Sequence, residues 1–210
     1  MAQRRARGMG AEYEQRRAQI ADAVLAIVAD HGLGAVSQNR VAARAGVSAG
    51  RVQHYFPAKQ QLIEAAFERG NALSEERIRE LVGQDLQSAP ARHVLTVVLT
   101  ELLPYDRARR THLRVRQAFS ALALADEAIA ARLRAEYAVL HNRLGALLAQ
   151  DRATGTGTGG RQVAATREVA VRLVALTEGL AYYTLIGVST ADTARQQVLA
   201  AIAQACGEPD

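Results

Sequence analysis

The sequence predicts an all-α protein of about nine helices, a small three-helix head at the N-terminus followed by a larger helical bundle. Apolar residues recur at spacings of three and four along the 210 residues, and strict alternation of β-branched side chains is absent. The 16 glycines and 4 prolines are too few for a fibrous or largely disordered chain. With 49% hydrophobic and 22% charged residues, the chain can bury a core as one domain or two small ones.

Each element follows from local signals. The first long helix is expected from about Glu12 to His31, with Ile20, Val24, Ile27 and Val28 on one face and Gly32 and Gly34 stopping it. Ser37 has a hydroxyl suited to the free N–H groups of a first turn, and it opens a short helix over Gln38 to Ala45. Gly46 permits a tight turn, Ser48 caps again, and a second short helix covers Ala49 to Tyr55. Pro57 breaks the pattern, and Lys59 then opens a long helix through Leu81. Further helices are expected at Ala89 to Leu103, ended by Pro104, and at Arg107 to Leu122, Glu127 to Gln150, Val163 to Ile186 and Asp192 to Ala205. Asp126 and Thr190 serve as N-caps for two of these. The stretch DRATGTGTGG, residues 151–160, reads as a flexible linker.

Charge divides the chain in two. Residues 1–60 hold nine Lys or Arg against four Asp or Glu, whereas residues 61–210 hold seventeen of each, so the whole net charge of +5 lies in the head. A basic head on an electrically neutral body is the pattern of a nucleic-acid-binding module joined to a regulatory or assembly domain. Of the 26 basic residues only Lys59 is Lys, so the Arg excess follows genome composition and carries no argument for phosphate recognition. Arg4, Arg5 and Arg7 form a basic arm ahead of the first helix, and Met9 offers a second start site behind it.

Other classes find little support. No apolar run approaches the ~20 residues of a membrane span, no secretory signal leads the chain, and the expected compartment is the cytoplasm. Cys206 is the sole cysteine, which excludes an internal disulfide. His31, His54, His93, His112 and His141 belong to no metal-ligand motif, and neither a nucleophile elbow, a P-loop nor a dinucleotide fingerprint occurs. No metal, cofactor or enzymatic activity is therefore expected. A helical adaptor for protein partners and a small helical enzyme are the competing readings.

Residues 34–59 carry the informative pattern, two short helices joined by a glycine turn as in a helix-turn-helix. Val41, Ala42 and Ala45 give the first helix a small apolar face, Val47 and Val52 point inward, and Phe56 anchors the end of the second helix. Ser48, Ala49, Arg51, Gln53, His54 and Tyr55 remain outward, most of them able to donate to phosphates or base edges. The stretch resembles the DNA-binding domain of the TetR family of bacterial transcription regulators at Val41-Ala42, Ala45-Gly46-Val47-Ser48, Gly50, Tyr55-Phe56 and Lys59. The resemblance covers about residues 12–66, and residues 173–180, LVALTEGL, resemble the penultimate helix of a large subgroup.

That resemblance implies phosphate contacts from Ser37, Ser48, Tyr55 and Lys59 and base contacts from Arg51 and Gln53, with Gln38, Ala49 and His54 completing the expected DNA-contact set. Arg51 and Gln53 depart from the small residue and the aromatic common in the family at those positions. It further implies a homodimer on double-stranded DNA, released by a small-molecule effector held in the body. The head, residues 1–60, would bind DNA, and residues 61–210 would bind ligand and dimerise. Candidate ligand residues are the polar groups within apolar helical patterns: Arg114, Gln117, Tyr137, His141, Thr177, Glu178 and Tyr182. Tyr137 and His141 share a helix face with Leu133, Leu144 and Leu148. Candidate interface residues are Leu173, Leu180, Tyr183, Val198 and Ile202, on helices with more apolar surface than a thin core needs.

Overall fold

A computed structural model describes the backbone of residues 2–83, 89–153 and 161–207, and the side chains of 12–83, 89–151 and 166–207. Nine α-helices run through the described residues: α1 (Ala2–His31), α2 (Gln38–Ala45), α3 (Ala49–Tyr55), α4 (Lys59–Val82), α5 (Ala91–Glu101), α6 (Arg107–Ala123), α7 (Glu127–Ala153), α8 (Arg161–Leu185) and α9 (Ala191–Ala205). None of them is long and apolar enough to cross a membrane.

Several boundaries differ from the sequence expectation for local reasons. α1 starts at Ala2 rather than near Glu12, because residues 2–11 are mostly good helix formers interrupted only by Gly8 and Gly10. α5 begins after Pro90 and ends at Glu101, ahead of Leu103, whose helical conformation Pro104 disfavours. The expected linker divides: residues 151–153 finish α7, and residues 154–160 lie outside the described residues. Asp126 accepts from the backbone N–H of Ala128 (3.0 Å) and Ile129 (3.3 Å), and Thr190 from that of Thr193 (3.1 Å). Asp106 does the same for α6, accepting from Arg109 N–H at 2.8 Å.

Two clusters of buried side chains hold the helices together. The first runs from Ile20 through Val41, Val52 and Phe56 to Phe67, and takes in Val115 and Phe119 of α6 and Ile129 and Leu133 of α7. Phe67 and Phe119 stack at its centre, ring centroids 4.4 Å apart. This core therefore continues across residue 60 and joins head to body. The second cluster gathers Leu95, Leu99 and Leu103, Leu113 of α6, Leu144 and Leu148 of α7, and the inner faces of α8 and α9.

Between the cores, Glu101 is a buried carboxylate that accepts from Ser74 Oγ (3.1 Å), Arg77 Nε (2.8 Å) and Arg109 Nε (2.7 Å). Arg77 Nη2 also lies 2.6 Å from the same carboxylate but is poorly aligned for a hydrogen bond. One carboxylate thus ties α4, α5 and α6. On the outside, Arg132 of α7 reaches Glu64 (2.6 Å) and Glu68 (3.0 Å) on α4, and Arg69 of α4 reaches Asp22 on α1 (2.7 Å). The long helix leaving the head is consequently pinned on two sides.

Candidate nucleic-acid interface and ligand cleft

The head's geometry follows from its caps. Ser37 Oγ accepts from Arg40 N–H (3.4 Å) and Ser48 Oγ from Arg51 N–H (3.2 Å), fixing where α2 and α3 begin. Gly46, with φ of 65°, ends α2 in the left-handed conformation that glycine adopts without steric cost. Val41, Ala42, Ala45, Val52 and Phe56 are buried beneath, and Val47 is partly buried against them. Gln19 Nε2 donates to Ala45 O at 2.9 Å, tying α1 to the end of α2.

With the inner face settled, the outer face of α3 presents Ser48, Ala49, Arg51, Gln53 and His54, and Ser37 and Lys59 are exposed nearby. A capping serine spends only an acceptor lone pair, so both hydroxyl protons remain for a phosphate oxygen. Tyr55 is half-buried, its ring 4.8 Å from that of Tyr13. Gln38 has a structural task instead: its Nε2 donates to Phe56 O (3.2 Å) and Pro57 O (3.0 Å), locking the end of α3. Sequence reading missed the contribution of α1. Tyr13, Arg16 and Gln19 share a groove of about 920 Å³ with Arg51, His54 and Tyr55.

The body holds a cleft of about 630 Å³ between α4, α5, α6 and α7. Of the residues expected there, Tyr137 lines it, and its hydroxyl donates to the Glu178 carboxylate at 2.7 Å. Glu178 stands behind Tyr137, and His141 stacks on the Tyr137 ring at 5.8 Å without reaching the lining. The remaining four are placed elsewhere. Arg114 is exposed on the outer face of α6, and Gln117 is half-buried away from the lining. Thr177 is fully buried and donates to Leu173 O at 2.7 Å, and Tyr182 is exposed beside Tyr183.

The cation of the cleft is Arg116, whose Nη2 donates to Glu178 Oε1 (2.5 Å) and to Tyr137 Oη (3.2 Å). Burial works against its charge, but Glu178 and Tyr137 raise the guanidinium pKa above its usual value. His112, one turn earlier, is buried next to Gly70, and its Nε2 lies 3.0 Å from Asn71 Oδ1. Burial first, then Arg116 and Arg77, pushes His112 down to about 3, so the ring is neutral at physiological pH and donates from Nε2. His112 also lines a second, smaller cleft of about 330 Å³ that includes Leu25, Gly70 and Leu73, between α1, α4 and α6. The spacing 112, 116, 119, with Phe119 in the core, was the available signal for this inward face.

The expected interface residues also need correction. Leu173, Leu180, Val198 and Ile202 are buried in the chain's own second core, turned inward at helical spacing toward one another and α7. Only Tyr183 stays outside. The outward face of α8 instead carries Leu176, Tyr182, Tyr183 and Ile186, all exposed.

Comparison with known proteins then decides the class. Residues 20–66 match the profile of bacterial regulatory proteins of the tetR family, and residues 90–207, more than half of the chain, match that of the BetI-type transcriptional repressor C-terminal domain. The chain belongs to the TetR family. Among curated TetR-type relatives it is 30% identical over 112 residues to the HTH-type transcriptional regulator PksA of Bacillus subtilis, a match covering 53% of each chain. It is 39% identical over 80 residues to the regulator BetI of Burkholderia thailandensis, covering 38% of this chain and 35% of that one. These matches span about half or less of the relatives' length. Solved structures agree over more of the fold. A TetR-family regulator from Rhodococcus sp. superposes with TM-score 0.73 at 26% identity, covering 92% of this chain and all of the other. A regulator from Saccharomonospora viridis in complex with choline superposes with TM-score 0.72 at 22% identity, covering 88% of this chain and 94% of that one.

Proposed function

We propose that this TetR-family member is a ligand-responsive repressor that binds a palindromic operator as a homodimer and leaves it when a small molecule occupies the body cleft. The observation that carries the reading is the arrangement of α3. Its inner residues Val52 and Phe56 are fixed in the core, while Arg51, Gln53 and His54 project together into solvent beside Arg16. This geometry suits a recognition helix in the major groove, with Ser37, Ser48, Tyr55 and Lys59 on the phosphates. The exposed apolar face of α8 is where a second copy would pack, and a two-fold dimer requires a two-fold site. The choline held by one structural neighbour supports a small molecule as the ligand of such a body. No catalytic role is assigned. Residues from 61 onward would sense and pair, and the protein would act in the cytoplasm.

Coupling runs through α4. A ligand that prefers a body shape with another head separation weakens DNA binding by the same free energy by which DNA weakens ligand binding. The test is binding to duplex DNA against salt concentration, followed by selection from random sequence. Arg51→Ala changes the selected sequence, whereas Lys59→Ala weakens all sequences alike and lowers the salt slope by about 1. Absence of binding at low salt overturns the reading, and uniform weakening by both substitutions overturns the base-reading role of Arg51.

A further inference from the structure

We infer that the ligand of the body cleft is an apolar molecule with an anionic oxygen head, in its simplest form a carboxylate, which Arg116 receives in place of Glu178. This rests on the effector reading above and names the chemistry of the same site. The walls supply the apolar part, through Ala72, Ile78, Val98, Leu102 and Leu140. Arg116 supplies the anchor. Its side chain is 13% exposed, it lines the cleft, and both its hydrogen bonds to protein leave from Nη2, so three of the five guanidinium N–H groups remain for an incoming oxygen.

The other charges on the lining do not compete with it. Glu68 and Glu136 are each bound to Arg132 at 3.0 Å, and Glu75 to Arg79 at 3.1 Å, all with side chains more than a third exposed. These acids sit paired at the rim, where water screens them. His112 at the inner end is neutral, so Arg116 is the deep charge of the cleft.

A quaternary ammonium finds no seat in the same place. Such a cation is held by the faces of aromatic rings. Tyr137 is the one aromatic residue on the lining, and the Arg116 guanidinium already lies 5.4 Å from its centroid. An anion instead replaces an anion. Glu178, 26% exposed, turns toward water, and the buried guanidinium is never left unpaired. The exchange breaks the one hydrogen-bonded tie from α6 to α8 that the described side chains show, so ligand entry reaches the helix proposed to pair the subunits.

Three probes of one chain length test this on the full-length protein: octanoate, 1-octanol and octyltrimethylammonium, with binding followed by calorimetry and release of labelled duplex by fluorescence anisotropy. Octanoate is expected to bind at least tenfold more tightly than octyltrimethylammonium. Arg116→Gln removes the preference for octanoate over octanol, and Glu178→Gln, which frees the guanidinium, raises octanoate affinity several-fold. If the ammonium probe binds as well as octanoate, or Glu178→Gln leaves octanoate affinity unchanged, the anion assignment falls while the ligand-responsive reading stands. If none of the three binds or releases duplex, the cleft is not a ligand site and both readings fall.

Discussion

Gly70→Ala separates two opposing effects at the crossing of α4 and α6. On propensity alone, alanine in mid-helix gains about 1 kcal/mol over glycine. A Cβ built at Gly70, however, would stand 2.2 Å from His112 Cδ2 and 2.9 Å from Cγ and Nε2. Ordinary carbon contacts are about 3.5–4.0 Å, so the ring must retreat by more than ~1 Å. His112 is only 6% exposed, and retreat breaks its 3.0 Å hydrogen bond to Asn71. Overpacking costs about 1–3 kcal/mol and an orphaned buried N–H a further ~1–3 kcal/mol. Net destabilisation is expected at about 2 kcal/mol, a fall in Tm of roughly 4–8 °C for a chain of this size. The assay is thermal and urea unfolding at fixed protein concentration, since dimerisation makes Tm concentration-dependent. Removing the ring with His112→Ala makes room for the new methyl, so a double-mutant cycle should show a favourable coupling of about 1–3 kcal/mol. A Gly70→Ala protein at least as stable as the parent, or strict additivity with His112→Ala, refutes the packing argument.

Other outcomes follow from the same structure. His112 is neutral in the fold down to about pH 3, while in the unfolded chain it takes a proton near 6.5. Stability should therefore be unaffected by this group above pH 6.5 and should fall by about 1.4 kcal/mol per pH unit as pH drops below it; His112→Gln should lose that slope in pH-dependent urea unfolding. Glu101→Ala leaves Arg77 and Arg109 without their shared carboxylate and should cost about 2–3 kcal/mol, less than a fully buried pair because both arginines keep some contact with water. Tyr183→Glu combined with Ile186→Glu places charge on the exposed face of α8 and should yield folded monomers in sedimentation; a persisting dimer would move the subunit interface elsewhere.

The head was legible because its signals are local. Ser37, Gly46 and Ser48 each act within one turn of helix, and the ends of α2 and α3 fall where those residues put them. The body was legible in its elements but not in its helix rotations. On α6, Arg114 was expected in the cleft and Arg116 was found there; two residues are about 200° around a helix, and both sit in a run of arginines that marks no face. On α8, inward Leu173 and Leu180 and outward Leu176 and Tyr183 form two apolar stripes. A helix apolar on both sides does not announce which side meets its own chain. Gln38 shows a third limit, because its bonds to Phe56 and Pro57 depend on a loop returning from eighteen residues away.

The core that runs past residue 60 matters to anyone who would recombine such regulators. A head excised at that point would leave behind Leu62, Ile63 and Phe67, together with Val115 and Phe119, which close the floor under α1 and α3. Operator preference is then not a cassette to be transplanted at the charge boundary. A chimera needs its junction beyond Phe67 and a recipient body whose α6 and α7 offer side chains of matching volume at the positions of Phe119 and Leu133. The sequences that recombine successfully should be those that covary across that seam.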